Sequence, residues 1–168
     1  MGRVSSSPSY PLHVASGVTS GNVAVTRPSN TTAYTAGDVC GATAAAITFP
    51  GFAAGEFMIT SINFYRGSSA LEASEGSYTL YLYNVTPPSA MADNQAWDLP
   101  TGDRAAYLGK IDLGAPVDLG GTIRVDVDQI NKQVTSLGAN LYGYLVTNAG
   151  YTPQSASIFN LTLHGMRV

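Results

Sequence analysis

The stretch Thr122-Ile123-Arg124-Val125-Asp126-Val127-Asp128 decides the fold class, because apolar and polar side chains alternate along its length. Successive side chains of a β-strand point to opposite faces, so the apolar residues of this stretch are predicted to face a core and the charged residues to face solvent. The same alternation returns in residues 157–164, where Phe159, Leu161 and Leu163 are predicted to point inward. Both stretches therefore indicate half-buried strands.

Further short runs of β-branched and aromatic residues surround these two, and Gly, Pro, Asn and Asp residues separate them. Helical periodicity is weak, and only a single turn is predicted, near residues 93–97 or 102–106. The pattern predicts an all-β protein, a two-sheet antiparallel β-sandwich. A jelly roll is the leading topology, although the number of strands alone does not fix it. The predicted strands are residues 22–27, 42–49, 57–65, 78–85, 106–113, 122–128, 141–147 and 157–164.

Two of these strands carry apolar or aromatic residues at both odd and even positions. Residues 57–65 are predicted to be buried on much of both faces. In residues 78–85, Tyr78 is predicted to point into the core, whereas Tyr81 and Tyr83 point outward. An outward tyrosine on a sheet indicates either a surface that binds something or a second buried face.

The chain of 168 residues is predicted to form one domain with an arm, because a domain typically has about 150 residues. Residues 1–21 contain few large apolar side chains and many Ser, Gly and Pro residues. Such a segment buries too little surface to order by itself, so it is predicted to be an extended N-terminal arm. Residues 22–168 are predicted to form the sandwich domain.

The composition excludes several classes of function. The net charge is −3 and the chain has only 8 Lys and Arg residues, so nucleic-acid binding is not expected. No apolar run reaches the roughly 18–20 residues of a membrane span, and the N-terminal residues lack the apolar core of a secretory signal. We therefore expect no membrane partner and synthesis in a cytoplasm. A single cysteine excludes a disulfide framework within the chain.

Residues for metal binding and nucleophilic catalysis are sparse. The two histidines, His13 and His164, lie in the arm and the last strand, so a zinc site would require these distant residues to converge. Cys40 has no histidine near it in sequence and is predicted to be a small buried thiol. No phosphate-binding glycine motif is present.

Paired acidic residues are the remaining source of chemistry. Asp126 and Asp128 share one strand face, and Glu72 and Glu75 lie in a loop rich in Ser and Ala. Such pairs serve in glycosidases or bind calcium, but outward acids beside Arg124 are more typical of solvated charge. We therefore expect no enzyme, no cofactor, and no catalytic, cofactor-binding or metal-binding residues.

Three segments resemble virion proteins of tailed bacteriophages. The first is residues 25–39 (Val-Thr-Arg-Pro-Ser-Asn-Thr-Thr-Ala-Tyr-Thr-Ala-Gly-Asp-Val). The second is residues 92–97 (Ala-Asp-Asn-Gln-Ala-Trp), followed by residues 102–104 and 107–111. The third is residues 140–146 (Asn-Leu-Tyr-Gly-Tyr-Leu-Val), followed by residues 151–153. The resemblance implies a jelly-roll-like capsid decoration, or cement, protein on the outer surface of a mature phage head. It further implies self-association as a dimer or trimer, binding to the major capsid protein across neighbouring subunits, and no catalytic residues.

Two kinds of segment are candidates for the interface with the capsid or with another copy. One is the arm, which gains order by binding a neighbour. The other is the pair of long connections 27–38 and 87–104, since connections longer than the usual 4–6 residues are often functional. The candidate interface residues are Val4, Tyr10, Leu12, Val14, Val18, Arg27, Pro28, Tyr34, Trp97 and Arg104.

An alternative function is a β-sandwich at the tail or neck of the virion that binds carbohydrate. The outward tyrosines of strands 78–85 and 141–147, together with Trp97, are the residue types that stack on sugar rings. The same residue types are also enriched in protein interfaces, so the residues alone leave both functions open.

Overall fold

The computed structural model describes residues 16–168, so the candidate interface residues Val4, Tyr10, Leu12 and Val14 and the arm histidine His13 lie outside the described residues. Within this range the chain forms antiparallel strands and one turn of 3-10 helix, at Thr101–Asp103. The strands are β1 (Gly17–Thr19), β2 (Val23–Thr26), β3 (Ile47–Pro50), β4 (Gly55–Arg66), β5 (Tyr78–Tyr83), β6 (Tyr107–Gly114), β7 (Val117–Asp118), β8 (Ile123–Val127), β9 (Lys132–Ser136), β10 (Asn140–Thr147) and β11 (Ile158–Arg167).

The strands form two sheets that pack face to face. In sheet 1, β11 and β4 are central; β1 and β2 follow each other along the free side of β11, and β8 and β9 follow each other along the free side of β4. Strand β7 is the outermost strand beyond β8. Sheet 2 has the order β3-β10-β5-β6. β1 and β2 thus occupy one place in the strand order, with a break between them, and so do β8 and β9.

The strand order is that of a jelly roll, which confirms the predicted fold class. All eight strands expected from the sequence are present, as β2, β3, β4, β5, β6, β8, β10 and β11. Along this series the chain crosses from one sheet to the other at every step except β5 to β6. Two interlocked Greek keys of this kind define the double-sheet jelly roll. The predicted helical turn near 102–106 is the 3-10 turn.

A β-bulge in β4 explains why its apolar residues occur at both odd and even positions. Phe57 and Ile59 face the core before the bulge, and Ile62 and Phe64 face it afterwards. The pairing with β11 skips Thr60, and on the other side of β4 the break between β8 and β9 lies opposite the same position. The expectation that this strand is buried on both faces was therefore wrong: one face is buried, and the bulge changes which residues form it.

The core between the sheets contains the residues whose direction the alternation predicted. Tyr78, Phe159, Leu161 and Leu163 are fully buried there. Ile123 and Val125 of the deciding stretch are also buried between the sheets. None of the helical structure in residues 16–168 has the length and hydrophobicity that crossing a membrane requires.

Part of the predicted arm belongs to the sandwich. Gly17–Thr19 forms β1, which pairs with the end of β11, and the Ser20 hydroxyl accepts a hydrogen bond from the Leu163 amide at 3.0 Å. Val18, a candidate interface residue, is half-buried in this strand. The assignment of residues 1–15 to an arm stays a prediction.

Candidate functional site

A long connection lies across the outer face of sheet 2 and buries it. We call residues 84–106, which join β5 to β6, the loop cover. Met91 of the cover packs on Tyr83, Tyr144 and Val146 of sheet 2, and together they form a second apolar cluster that is separate from the core between the sheets. Tyr83 and Tyr144 do point away from the main core, but they are 0% and 1% exposed. Of the two alternatives for the outward tyrosines, a second buried face is therefore the correct one for these two residues, because the loop cover buries the outer face of sheet 2.

Backbone hydrogen bonds fix the loop cover to its surroundings. The Tyr144 hydroxyl accepts from the Met91 amide at 3.2 Å and lies 3.2 Å from the Ser89 carbonyl oxygen. On the other side, the Val39 amide donates to the Gln95 carbonyl at 2.8 Å. These hydrogen bonds hold the backbone of the cover at Ser89, Met91 and Gln95, which helps to give the connection a defined shape despite its length.

A buried ion pair anchors the loop cover to the connection between β2 and β3. Arg27 Nη2 lies 2.9 Å from Asp93 Oδ2, and the two side chains are 0% and 4% exposed. The Tyr34 hydroxyl donates to Asp93 Oδ1 at 2.5 Å and accepts from Arg27 Nε. The Gly41 amide donates to the same Oδ1 at 3.1 Å, and Arg27 Nη1 also donates to the Gln154 carbonyl at 3.0 Å.

The charges in this anchor are matched, which allows them to be buried. Burial, with the negative charge of Asp93 nearby, raises the pKa of Tyr34, so its hydroxyl keeps the proton that it donates. Burial also raises the pKa of Cys40, which lies next to this group and is 0% exposed. The Cys40 thiol is therefore a neutral core group, in agreement with the sequence-based expectation.

Residues from the segments 25–39, 92–97 and 151–153 meet at this anchor. Arg27 and Tyr34 come from the first segment and Asp93 from the second. Tyr151 of the third segment packs on Tyr34 with ring centroids 5.2 Å apart, and its carbonyl accepts from the Tyr34 amide at 2.9 Å. Segments distant in sequence thus form one packed unit at a single end of the sandwich.

The acids in the Ser/Ala-rich loop form a second buried ionic group. Arg66 is 1% exposed, with Nη1 3.1 Å from Glu72 and Nη2 2.6 Å from Glu75. The Tyr78 hydroxyl donates to Glu75 Oε1 at 2.7 Å, and the Tyr151 hydroxyl lies 2.8 Å from that of Tyr78. These acids hold a buried arginine, and their charge is used within the fold.

Asp126 and His164 are also engaged in local contacts, whereas Asp128 is exposed just beyond the end of β8. Asp126 pairs with Arg124 at 2.7 Å on the outer face of sheet 1, and this hydrogen bond lowers the pKa of Asp126. His164 lies on the same face, with Nε2 2.9 Å from Asn63 Oδ1. Across residues 16–168, no group of three or more His, Cys, Asp or Glu residues is arranged to hold a metal ion.

The candidate interface residues of the long connections fall into two groups. Arg27 and Tyr34 are each 2% exposed and lie inside the chain. Arg104 is exposed, and Pro28 is half-buried. Trp97 is half-buried and stacks on Tyr81 with ring centroids 3.7 Å apart, so much of its contact area is used within the chain.

Comparisons with known proteins give only distant likenesses. No protein-family model matches the chain, and no curated protein sequence matches it. Among solved structures, the chain is similar to one from the Israeli acute paralysis virus particle heated to 63 degrees, with 11% identity over 90% of this chain and 71% of that chain and a TM-score of 0.30. It is also similar to a chain of the Israeli acute paralysis virus pentamer, with 9% identity, a TM-score of 0.28, and coverage of 90% of this chain and 88% of that chain. A third similar structure is a chain of the T13 IBDV viral particle, with 9% identity, a TM-score of 0.24, and coverage of 92% of this chain and 39% of that chain. Because these scores are low, the jelly-roll assignment rests on the strand order of this chain.

Proposed function

We propose that this chain is a bacteriophage capsid decoration, or cement, protein that binds the outer surface of the mature head and bridges neighbouring major capsid subunits. The observation that carries the proposal is the meeting of the three virion-like segments at the Arg27–Asp93 anchor. These segments account for the shape of the loop cover, so the resemblance involves the residues that build one end of the molecule. The proposed location is the virion, after synthesis in the host cytoplasm.

The proposed mechanism is stabilisation by selective binding. A protein that binds the mature lattice and not its precursor stabilises the mature state by mass action. Many copies on one particle, each touching more than one subunit, increase the total effect without requiring a tight single contact. The chain contributes a rigid jelly roll, and residues 1–15 are proposed to become ordered on a neighbouring molecule.

The loop cover is the proposed capsid-facing or self-association surface. Its exposed residues include Arg104, and it is fixed to the sandwich by the buried anchor and by the Tyr144 hydroxyl. A surface that is already ordered loses little conformational entropy on binding, which favours affinity. We expect the partner to contact exposed residues of the cover and not Arg27 or Tyr34, which are buried.

The abundance of the protein on particles tests the proposal. Quantitative mass spectrometry of gradient-purified virions would compare the copy number of this chain with that of the major capsid protein. A ratio near one, or a simple fraction of one, supports a decoration protein. Absence from particles would contradict any virion role.

A second candidate is a tail- or neck-associated protein that binds carbohydrate, and the aromatic residues at the rim of the loop cover favour it. Tyr81, Trp97 and Tyr107 are half-buried. The ring centroid of Tyr107 lies 6.3 Å from that of Tyr81 and 6.1 Å from that of Trp97. Partly exposed aromatic rings suit stacking against sugar rings. A copy number of a few to dozens per virion, with binding in a glycan titration that Tyr107→Ala abolishes, would support this function over the first.

A further inference from the structure

The sandwich has an open side where β2 and β3 approach each other. Within the described residues, β2 pairs with β11 and β3 pairs with β10, so each is a free edge of its sheet. The space between them is a cleft of about 380 Å³. Its walls are the four residues of β2, the start of β3, and Ala42, Ala45 and Ala46. We call this space the edge cleft.

The walls of the edge cleft are suited to an added strand. Alanine side chains are short, so the backbone of a bound segment can approach closely. A free strand edge offers unpaired N–H and C=O groups, which bind an extended segment by β-augmentation. Neither β2 (Val-Ala-Val-Thr) nor β3 (Ile-Thr-Phe-Pro) carries a charged residue that would oppose such pairing.

The opposite free edge of sheet 2 is protected in a way that the edge cleft is not. Strand β6 carries the exposed ion pair of Lys110 and Asp112, whose side chains are 52% and 64% exposed. Its pairing with β5 is also irregular near both ends. Charged residues and bulges are the usual means of preventing a sheet edge from pairing with another chain. Strand β3 ends in Pro50, which cannot donate a hydrogen bond, but Pro50 is not among the residues that line the edge cleft. The absence of charged residues and bulges therefore favours pairing at the edge cleft over pairing at β6.

The sequence before β1 has the pattern of a strand. Tyr10, Leu12 and Val14 all occupy even positions and would lie on one face of an extended segment. Pro11 has no N–H group, which is compatible with a strand that pairs along one edge only. Fully extended, the fifteen residues before Ser16 span up to roughly 50 Å, enough to reach a neighbouring molecule.

The direction of β1 makes the edge cleft of the same chain a poor target for the segment before it. β1 lies opposite residues 164–166 of β11, and β2 lies opposite residues 158–161. The chain therefore runs from β1 towards β2 and the edge cleft, so a segment preceding β1 would have to reverse its direction to enter the cleft of its own chain. A second copy is the better source of a segment for the edge cleft.

We propose that the edge cleft receives residues 10–15 of a second copy of this chain as an added strand, with the side chains of Leu12 and Val14 directed at the alanine wall. This inference rests on the proposed function, in which residues 1–15 become ordered on a neighbour, and it identifies that neighbour and the surface that it offers. Such a contact joins two copies into a dimer when they exchange segments, or several copies into a ring when each copy places its segment on the next.

Disulfide trapping tests the contact directly. Chains with Leu12→Cys and chains with Ala45→Cys are mixed, refolded together and oxidised, and the products are analysed by non-reducing electrophoresis and mass spectrometry. Cys40 is 0% exposed and does not compete. The expected product is a disulfide between the two different chains. Leu12→Cys mixed with Ala139→Cys, an exposed alanine in the loop before β10, is the matched control and gives no such product.

The oligomeric state gives a second measurement that does not depend on cysteine chemistry. In light scattering, Ala45→Arg is expected to reduce self-association at least tenfold, and Ala139→Arg to leave it unchanged. The proposal would be overturned if the protein is monomeric throughout, or if the disulfide forms only within one chain that carries both cysteines. It would also be overturned if self-association is lost on substitution of Leu119, an exposed apolar residue away from the edge cleft, by Arg (Leu119→Arg) but not in Ala45→Arg. Both measurements use the isolated protein, so their failure is distinct from absence of the protein on virions.

Discussion

Arg27 and Asp93 form an ion pair inside the protein, 2.9 Å apart, and they join two connections although the two residues lie 66 positions apart in sequence. Arg27 is the first residue after β2, and Asp93 lies in the middle of the loop cover. The Tyr34 hydroxyl completes the contact from the same connection as Arg27. The shape of the proposed binding surface therefore depends on charges that solvent does not reach.

Asp93→Ala is expected to lower the free energy of unfolding by about 3–5 kcal/mol, because it leaves the buried Arg27 guanidinium without its counter-charge. Urea denaturation followed by circular dichroism measures this change. Asp126→Ala is the matched control, since it removes an acid from a half-exposed pair with Arg124 and is expected to cost less than about 1 kcal/mol. Equal effects of the two substitutions would contradict the assigned role of the anchor.

Trp97→Ala separates a structural role of the indole from an interface role. Because Trp97 stacks on Tyr81, its removal is expected to lower the stability of the isolated protein by at least about 1 kcal/mol. Trp97→Phe, which keeps an aromatic ring, is expected to recover much of this loss. If Trp97→Ala leaves stability unchanged but reduces occupancy on heads by about 2 kcal/mol or more, Trp97 acts as an interface hot spot.

Gly143→Ala tests the packing of the central strand of sheet 2. A Cβ atom at this position would lie 2.9 Å from the Tyr81 carbonyl oxygen and 3.0 Å from Leu80 Cδ1. We expect a loss of about 1–3 kcal/mol, typical of overpacking, in a thermal or urea denaturation. Gly138→Ala, where a Cβ meets no atom within 4 Å, is the control and should change stability by less than about 1 kcal/mol.

The protein is expected to lose stability at alkaline pH. Burial raises the pKa of Tyr83 to about 12 and also raises the pKa of Tyr34, Tyr78 and Tyr151. In the unfolded chain tyrosine loses its proton near pH 10, so above about pH 10 the unfolded state binds fewer protons than the folded state and is favoured. Stability is thus full below that pH and falls as the pH rises towards the folded pKa values.

Urea midpoints between about pH 8 and pH 12 measure this loss, with tyrosinate absorbance as a second signal. Tyr83→Phe is expected to make the loss less steep. Tyr142→Phe is the control, because hydrogen bonds from Thr86 and Asn140 lower the pKa of Tyr142. Midpoints that stay constant up to pH 12 would contradict the prediction.

Two truncations distinguish the arm from β1. Deletion of residues 1–15 is expected to remove the self-association proposed above and to weaken binding to heads, while the melting temperature of the dilute monomer stays nearly unchanged. Deletion of residues 1–21 also removes β1 and the contact of Ser20 with Leu163, so it is expected to lower the melting temperature as well. Normal decoration of heads by the shorter truncation would exclude a role for the arm in binding.

The alternation of side chains was sufficient to predict the strands of the jelly roll. The deciding stretch became β8 as expected, because a half-buried strand needs only local sequence to show its two faces. Strands β1, β7 and β9 were not predicted, since they are short and depend on a partner strand more than on their own composition. The bulge at Thr60 was also missed, because period-two reading assumes one unbroken register.

The candidate site was predicted less well, for a physical reason. An arginine or a tyrosine in a long connection has the same local sequence whether it meets a partner or another loop of its own chain. Arg27 and Tyr34 were therefore interpreted as interface residues, although Asp93 holds them inside. Only the unusual combination of long connections with few charged residues hinted that the charges present were needed within the fold.

The strand order has a consequence for how the protein is made. The middle of sheet 1 is β11 and the middle of sheet 2 is β10, the last two strands along the chain. On the ribosome, neither sheet can close until residues 140–167 have emerged, and before then β2 and β4 have no strand between them. A chain that ends before residue 140 therefore lacks both the strand that joins β2 to β4 and the strand that joins β3 to β5, and it is expected to expose apolar residues that the complete sandwich buries.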